Sequence, residues 1–149
     1  MQRRYATVGS QNAAATTTIL GLTSATTIRP RLYEIWFGSA ATPADQAFNL
    51  DIRRYTAAGT ATSVTPQALD PADPAALAAA GENHTVEPTY TAGANLLKIS
   101  INQQATVRWV VPPEEGLVAP ATANNGLGLQ FTLVSGGTAI CEATFHHAE

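Results

Sequence analysis

The sequence predicts an all-β fold, a single-domain β-sandwich or jelly roll of about eight or nine strands with one short helical turn. Several segments alternate apolar and polar residues with period two, as strands with one buried face do. Gly, Pro and Asn residues separate these segments, and long irregular connections between short strands are typical of Greek-key sandwiches. The 149 residues, of which 45% are hydrophobic, are enough to bury the core of one domain.

The predicted strands follow the alternation along the chain. The longest alternating set covers residues 127–133, and Ser135-Gly136-Gly137 after it has the composition of a hairpin turn that leads into the last strand. We expect strands at residues 5–8, 16–22, 32–37, 48–53, 85–91, 97–101, 106–111, 127–133 and 139–145.

The same pattern assigns a face to each strand residue, because a slip of one residue would reverse the buried and exposed faces. Asp51, Lys98 and Gln130 are predicted to point away from the core. The predicted core contains Ile35, Phe37, Phe48, Leu50, Ile52, Leu97, Ile99, Ile101, Leu129, Phe131 and Leu133.

Residues 64–96 form a long polar connection within the 31–149 domain, and residues 1–30 precede that domain as an arm or as its first strands. The connection contains Asp73-Pro74, which predicts a helix start, with Asp73 as N-cap and Pro74 at the first helical position. A helical turn is therefore expected near 74–80, with Gly81 as C-cap. Long ordered connections in small domains are commonly functional. This one has no cluster of catalytic groups, which favours binding or assembly.

Two predicted strands carry apolar residues on both faces. In the 32–37 segment, Leu32 and Trp36 oppose Tyr33, Ile35 and Phe37. The 106–111 segment, with Trp109 at its centre, has the same property. A sheet with one wet face does not need apolar groups on both sides. Either these strands are central and covered by a loop such as 70–88, or their outer face packs on another subunit.

Charge and cysteine content exclude several classes of protein. Only 13% of residues are charged and the net charge is −3, so no extended basic field is present to hold nucleic acid. The single cysteine, Cys141, excludes an internal disulfide and a multi-cysteine zinc site. No apolar run is long enough to span a membrane. The basic start, Arg3-Arg4, is followed by no apolar segment of the kind a signal peptide has.

Catalytic signatures are absent as well. No nucleophile elbow, phosphate-binding loop or metalloprotease helix pattern occurs. His146 and His147 are adjacent on a predicted strand, so they point to opposite faces; we interpret them as a surface pair near the end of the sequence. Glu114-Glu115 resembles an exposed turn, and Cys141 is expected to be a buried small hydrophobe. We therefore expect no enzyme, no cofactor and no metal.

Four segments carry a resemblance: PRLYEIWF at 30–37, the run from Asp70 to Leu97, RWVVP at 108–112 and PATANNG at 120–126. Together they resemble small virion-associated proteins of tailed phages and prophages, over most of the chain after Pro30. The resemblance implies the phage particle as the setting. A chain of this size and β content is similar there to head decoration (cement) proteins, which are often trimers of a jelly roll or related barrel.

This likeness implies a non-enzymatic protein, made in the host cytoplasm, that binds the major capsid protein on the phage head surface and stabilises it. It also implies a homo-oligomer, most simply a homotrimer, with no nucleic-acid or membrane partner. Residues 1–18 are predicted to contact a different chain, because few of them can fill a core. The candidate interface residues are Arg3, Arg4, Tyr5, Trp36 and Trp109.

The alternative is a carbohydrate- or receptor-binding β-module of a phage tail or fibre. Such a site would use exposed aromatic residues, and Trp36, Tyr55, Tyr90 and Trp109 are the candidates. Two of these rings lying coplanar in an open groove would favour this alternative over assembly.

Overall fold

The computed structural model describes residues 2–13, 16–41, 43–133 and 138–149, and gives the backbone alone for Ala13 and Leu133. Within this part of the chain, two antiparallel sheets of six strands each pack face to face, which confirms the predicted all-β sandwich. The strands are β1 (Arg4–Ala13), β2 (Thr17–Thr23), β3 (Arg31–Ala41), β4 (Ala47–Ala57), β5 (Thr60–Val64), β6 (Gln67–Ala68), β7 (Ala79–Val86), β8 (Thr89–Asn102), β9 (Val107–Val110), β10 (Leu117–Val118), β11 (Gly126–Leu133) and β12 (Ala139–Ala148).

Four nested antiparallel pairs define the topology: β1 with β12, β2 with β11, β3 with β9, and β4 with β8. This nesting of first with last and second with second-last is the connectivity of a jelly roll. In the first sheet, called here the β1 sheet, the order is β6-β1-β12-β3, with β9 and β10 both on the outer edge of β3. In the second, the β2 sheet, it is β5-β7-β2-β11-β4-β8.

The core lies between the sheets and contains the residues that the alternation selects. Phe37, Phe48 and Phe131 meet at its centre, with ring centroids 5.2 Å apart for Phe37–Phe48 and 4.8 Å for Phe48–Phe131. The other predicted core residues of β3, β4 and β11 are buried as well, whereas those of β8 pack on the core while partly exposed. The side chain of Leu133 and the turn at 135–137 lie outside the described residues.

A β-bulge at Tyr33 corrects the expectation that Leu32 lies on the outer face of its strand. Leu32 pairs with His147 and Glu34 with His146, so Tyr33 is the extra residue and the alternation reverses there. Leu32 therefore joins Ile35 in the core.

The outward residues are exposed to different degrees. Lys98 is exposed and Asp51 is half-buried. Gln130 lies between Leu129 and Phe131 of the core, which places it on the outer face, yet it is only 7% exposed. Its burial has a local cause, because Arg53 lies beside it and donates a 2.7 Å hydrogen bond from Nη1 to Gln130 Oε1. The prediction that Gln130 points away from the core is therefore confirmed, although Arg53 covers its side chain.

The helical turn predicted near 74–80 is wrong. The chain there is irregular, and Gly81 lies inside β7, paired with Gly21. The backbone N–H groups of Leu77 and Ala78 donate to the Glu149 carboxylate at 2.9 and 2.8 Å. They therefore do not need helical carbonyl partners. The one helical turn that the described residues do form is a 3-10 turn elsewhere in the chain, at Pro113–Glu115.

The first residues are strands of the sandwich and not an arm. β1 pairs with β12 over ten residue positions and with β6 on its other side. Tyr5 and Thr7 are buried. The composition of this segment predicts that it contacts a different chain and not its own domain. For β1 that prediction is wrong, because its backbone pairs within the β1 sheet and its inward side chains are buried there.

The long 64–96 connection runs from the end of β5 into β8 and contains strands of its own. β6 extends the β1 sheet, while β5, which precedes the connection, and β7 extend the β2 sheet. The single strand predicted at 85–91 is divided between β7 and β8 around Glu87-Pro88. No helix in the described part of the chain is long and apolar enough to cross a membrane.

Candidate interaction surface

The outer face of the β1 sheet is more apolar than a solvated face needs to be. Four of the seven large apolar side chains that stay exposed in the described chain lie on it, one from each of β1, β3, β9 and β12. This surface is called here the indole face. Its exposed apolar residues are Val8, Trp36, Val110 and Ile140.

Cross-strand pairing brings the residues of this face together from distant parts of the sequence. Outward residues that are directly opposite on neighbouring strands lie side by side on the sheet surface. One row joins Val8, Thr144, Trp36 and Arg108, and the next joins Ala6, His146, Glu34 and Val110.

Trp36 is 40% exposed but its indole is held in place. Its Nε1 donates a 2.8 Å hydrogen bond to Glu34 Oε1. The Arg108 guanidinium stacks over the ring, with Cζ 4.9 Å from the centroid, and Arg108 Nε donates to the same Glu34 oxygen at 2.7 Å. A large aromatic side chain fixed in this way loses little conformational entropy when a partner covers it.

Glu34 is the residue that joins this cluster. It is 8% exposed, and its second oxygen, Oε2, lies 2.7 Å from His146 Nδ1. Burial by itself raises the pKa of the Glu34 carboxyl, but the hydrogen bonds from His146, Arg108 and Trp36 outweigh it, so the pKa lies below its ordinary value. The carboxylate is therefore ionised at neutral pH and is neutralised by Arg108.

Two shallow grooves give the indole face its shape. One, of about 240 Å³, is lined by Trp36, Gly38 and Thr106 on one side of β12. The other, of about 420 Å³, is lined by Val8 and Ser10 on the opposite side and extends to Val64 and Glu82 of the β2 sheet. Both grooves share the β12 residues 142–144, so the middle of that strand forms a ridge between them.

The structure does not bring the predicted interface residues into one surface. Trp109 lies on the inner side of β9 and packs on the core, opposite in direction to Arg108. Tyr5 is fully buried: its ring stacks on His147 at 5.4 Å, and its hydroxyl donates to the Pro74 carbonyl.

Arg3 and Arg4 are exposed and line a separate open cavity of about 510 Å³ with Asp70 and Asp73. Of the five predicted interface residues, Trp36 and Arg4 lie on the outer side of the β1 sheet, and Arg4 is at its end, as the first residue of β1.

Three residues of this surface were missed by sequence reasoning: Glu34, Arg108 and His146. Glu34 is two residues from Trp36 on a strand and shares its face, which is a signal the sequence contains. The interpretation of His146 and His147 as a surface pair is wrong for His147, which is fully buried between Tyr5 and Glu149.

The outer face of the β2 sheet is covered by two tyrosines. Tyr55 and Tyr90 lie over Gly126 and Gly128 of β11, and a Cβ added at either glycine would clash with a tyrosine. Their rings meet edge to face at 78°, and Tyr55 is buried. Burial raises the pKa of both phenols. The described candidate aromatics therefore form no coplanar pair in an open groove.

Groups that could support chemistry are dispersed. No three His, Cys, Asp or Glu side chains of the described chain form a metal-binding group. Cys141 is buried as predicted, and burial raises the pKa of its thiol to about 11. Glu114 and Glu115 lie in the exposed 3-10 turn, which confirms the predicted turn. Comparisons of this chain with protein-family models, curated proteins and solved structures found no match.

Proposed function

We propose that this chain is a non-enzymatic structural protein of a tailed phage, a decoration (cement) protein that binds the major capsid protein on the outer head surface as a homo-oligomer. The resemblance of residues 30–37, 70–97, 108–112 and 120–126 supports the phage setting. The jelly-roll topology agrees with the class of protein that the resemblance implies. In this proposal the protein has no cofactor and is located on the virion.

The indole face is the surface that we assign to the capsid contact, and the fixed, exposed Trp36 is the observation that carries this assignment. Aromatic residues are enriched where interfaces concentrate their binding energy, and they act best inside a ring of contacts that excludes water. Val8, Val110 and Ile140 supply apolar surroundings. The Glu34–Arg108 pair is internally neutralised, and exposed Glu142 on β12 is a charge of this face that the capsid surface has to pair.

A homo-oligomer strengthens such a contact, because once one copy is bound the others bind intramolecularly. Three modest contacts on one rigid body would hold a head surface more tightly than any single contact. The homotrimer that the resemblance implies stays a prediction, and light scattering on the purified protein distinguishes it from the two-fold dimer argued in the next section.

Co-sedimentation of the purified protein with undecorated heads tests the proposal. Trp36→Ala is expected to weaken binding by about 2 kcal/mol per contact, the usual minimum for an interface anchor, which corresponds to roughly thirtyfold. Val86→Ala removes another exposed apolar side chain, on β7 and away from the indole face, and is expected to bind as the unchanged protein does.

Equal binding of Trp36→Ala and the unchanged protein would contradict the assignment of the indole face. Failure of the unchanged protein to bind heads, together with binding to cell-surface glycans, would replace the proposal by the carbohydrate-binding alternative.

A further inference from the structure

β8 is the one long edge strand of the described sandwich. The β1 sheet ends in β6 (two residues) on one side and in β9 (four) and β10 (two) on the other. The β2 sheet ends in β5, with five residues, and in β8, with fourteen. Very short edge strands protect proteins from pairing with other chains. The edge strands β5, β6, β9 and β10 have this protection and β8 does not. β1 also lacks a described strand neighbour beyond Ala6, where the Ser10 N–H donates to the Glu82 carboxylate instead.

Only half of β8 has the regular geometry that would accept another strand. Between β4 and β8 the register shifts three times near Arg53 and Tyr55, opposite the first half of β8, and Gly93 has a positive φ of 70°. Such irregularities also protect an edge. Residues 97–102 pair with β4 in unbroken register, Leu97 with Ile52 through Asn102 with Ala47. On the side away from β4 they pair with no strand of the described chain.

The sandwich core is incompletely covered behind this regular half. Leu97, Ile99 and Ile101 point inward and pack on the core, but all three remain partly exposed. Val107 and Trp109 of β9 line a small cavity of about 10 Å³ together with Leu97 and Ile99, and both are partly exposed as well. The edge therefore combines unpaired backbone with apolar side chains that a partner strand would cover.

We propose that two copies of this chain pair antiparallel along residues 97–102 of β8, with Ile99 opposite Ile99 of the second copy. Residues directly opposite in an antiparallel pair point to the same side of the sheet. In this register Leu97 meets Ile101, so the inward apolar rows of the two copies become continuous. The one charge of β8, Lys98, meets Ser100, so no like charges meet. The segment is thus complementary to itself, as a two-fold contact requires.

This contact has a consequence for the indole face. The two-fold axis of an antiparallel strand pair within one continuous sheet is perpendicular to that sheet. Both copies therefore have their indole faces on the same side of the dimer, and both can contact one surface at once. In this dimer, avidity for the head comes from two contacts, where the homotrimer would supply three. The pairing itself does not depend on head binding.

A charge exchange at exposed positions tests the pairing. Ser100→Lys places the new lysine opposite Lys98 of the second copy, twice per dimer, and like charges directly opposite destabilise a sheet. We expect the dimer dissociation constant, from sedimentation equilibrium, to rise about tenfold at low salt and less at high salt. Adding Lys98→Glu to Ser100→Lys creates two opposite-charge pairs and is expected to restore the dimer. Ser63→Lys, exposed on edge strand β5, is the matched control and is expected to change nothing.

Cooperative melting of each variant shows that it is folded. Three outcomes overturn the pairing: a monomer or a trimer for the unchanged protein, a dimer that Ser100→Lys leaves unaffected, or a double variant no tighter than Ser100→Lys. A trimer that still binds heads through Trp36 would retain the proposed function and overturn the β8 contact alone.

Discussion

Single residues on the two outer faces show how a side chain is fixed at a surface. Trp36 is held by a hydrogen bond to Glu34 and a stack under Arg108. On the opposite face, Thr18 holds the hydroxyl of Tyr90 at 2.6 Å, and the Arg53 guanidinium lies 4.5 Å from the Tyr90 ring centroid. The two faces differ in exposure. The Tyr90 ring packs against the sheet over Gly128, whereas no described side chain covers the free edge of the Trp36 indole.

Gly128 is needed because Tyr90 occupies the space of a side chain. A Cβ at Gly128 would meet Tyr90 Oη first, with the other ring atoms 3.1 Å or more away. We expect Gly128→Ala to reduce the free energy of unfolding by about 1–3 kcal/mol, as overpacking does, measured by urea denaturation. In a Tyr90→Phe background the same change is expected to cost much less, because the clashing oxygen is gone. An equal cost in both backgrounds would show that the hydroxyl is not the obstacle.

Among the elements, β1 is where sequence composition is most misleading. Its residues are small and polar, yet the strand joins β12 to β6 and places Tyr5 against His147. The polar residues Thr7 and Gln11 are buried with it. Backbone pairing and the single buried ring of Tyr5 hold this strand in the sandwich. The hydrophobic content of its sequence predicts neither.

We therefore expect deletion of residues 1–12 to abolish cooperative thermal unfolding. Without β1, β12 would pair with β3 alone and become an exposed edge. Circular dichroism during heating measures this. Arg3→Ala, at an exposed position, is the control and is expected to melt as the unchanged protein does. A shortened chain that still melted sharply would restore the arm interpretation.

At the scale of the whole molecule, stability is expected to depend on pH through three buried or bonded groups. In Glu149, burial alone raises the carboxyl pKa, but the hydrogen bonds from His147, Leu77 and Ala78 outweigh it and the pKa is lowered. Glu34 behaves in the same way. Burial lowers the pKa of His84 below 6.5, more than the nearby Glu87 and Thr18 raise it.

All three shifts act in the same direction. The two carboxylates stabilise the fold above their ordinary pKa of 4.5, and this contribution is lost as the pH falls through their lower folded values. Below pH 6.5 the unfolded chain gains a proton on His84 that the folded chain resists. We expect the free energy of unfolding to be highest above about pH 6.5 and to fall in acid, less steeply in Glu149→Gln. A flat profile from pH 7 to pH 4 would contradict this assignment.

The period-two alternation by itself determined the fold class and most of the core. Phe48, Leu50 and Ile52 are buried as the alternation predicts, because successive side chains of a strand point to opposite faces whatever the rest of the chain does. The low charge content, which composition alone provides, predicts that no extended surface for nucleic acid is present, and this stays a prediction. These inferences depend only on the composition of the chain and on the order of neighbouring residues, and both can be read from the sequence.

Tertiary structure decided the features that depend on distant residues. The bulge at Tyr33, which moves Leu32 into the core, follows from the register with β12. The failed helical turn follows from Glu149, which is 71 residues from Ala78. The cluster around Glu34 joins residues 74 and 112 positions away in Arg108 and His146. Such contacts form only when the sheets have assembled, since backbone pairing and burial outweigh the local preferences that the sequence displays.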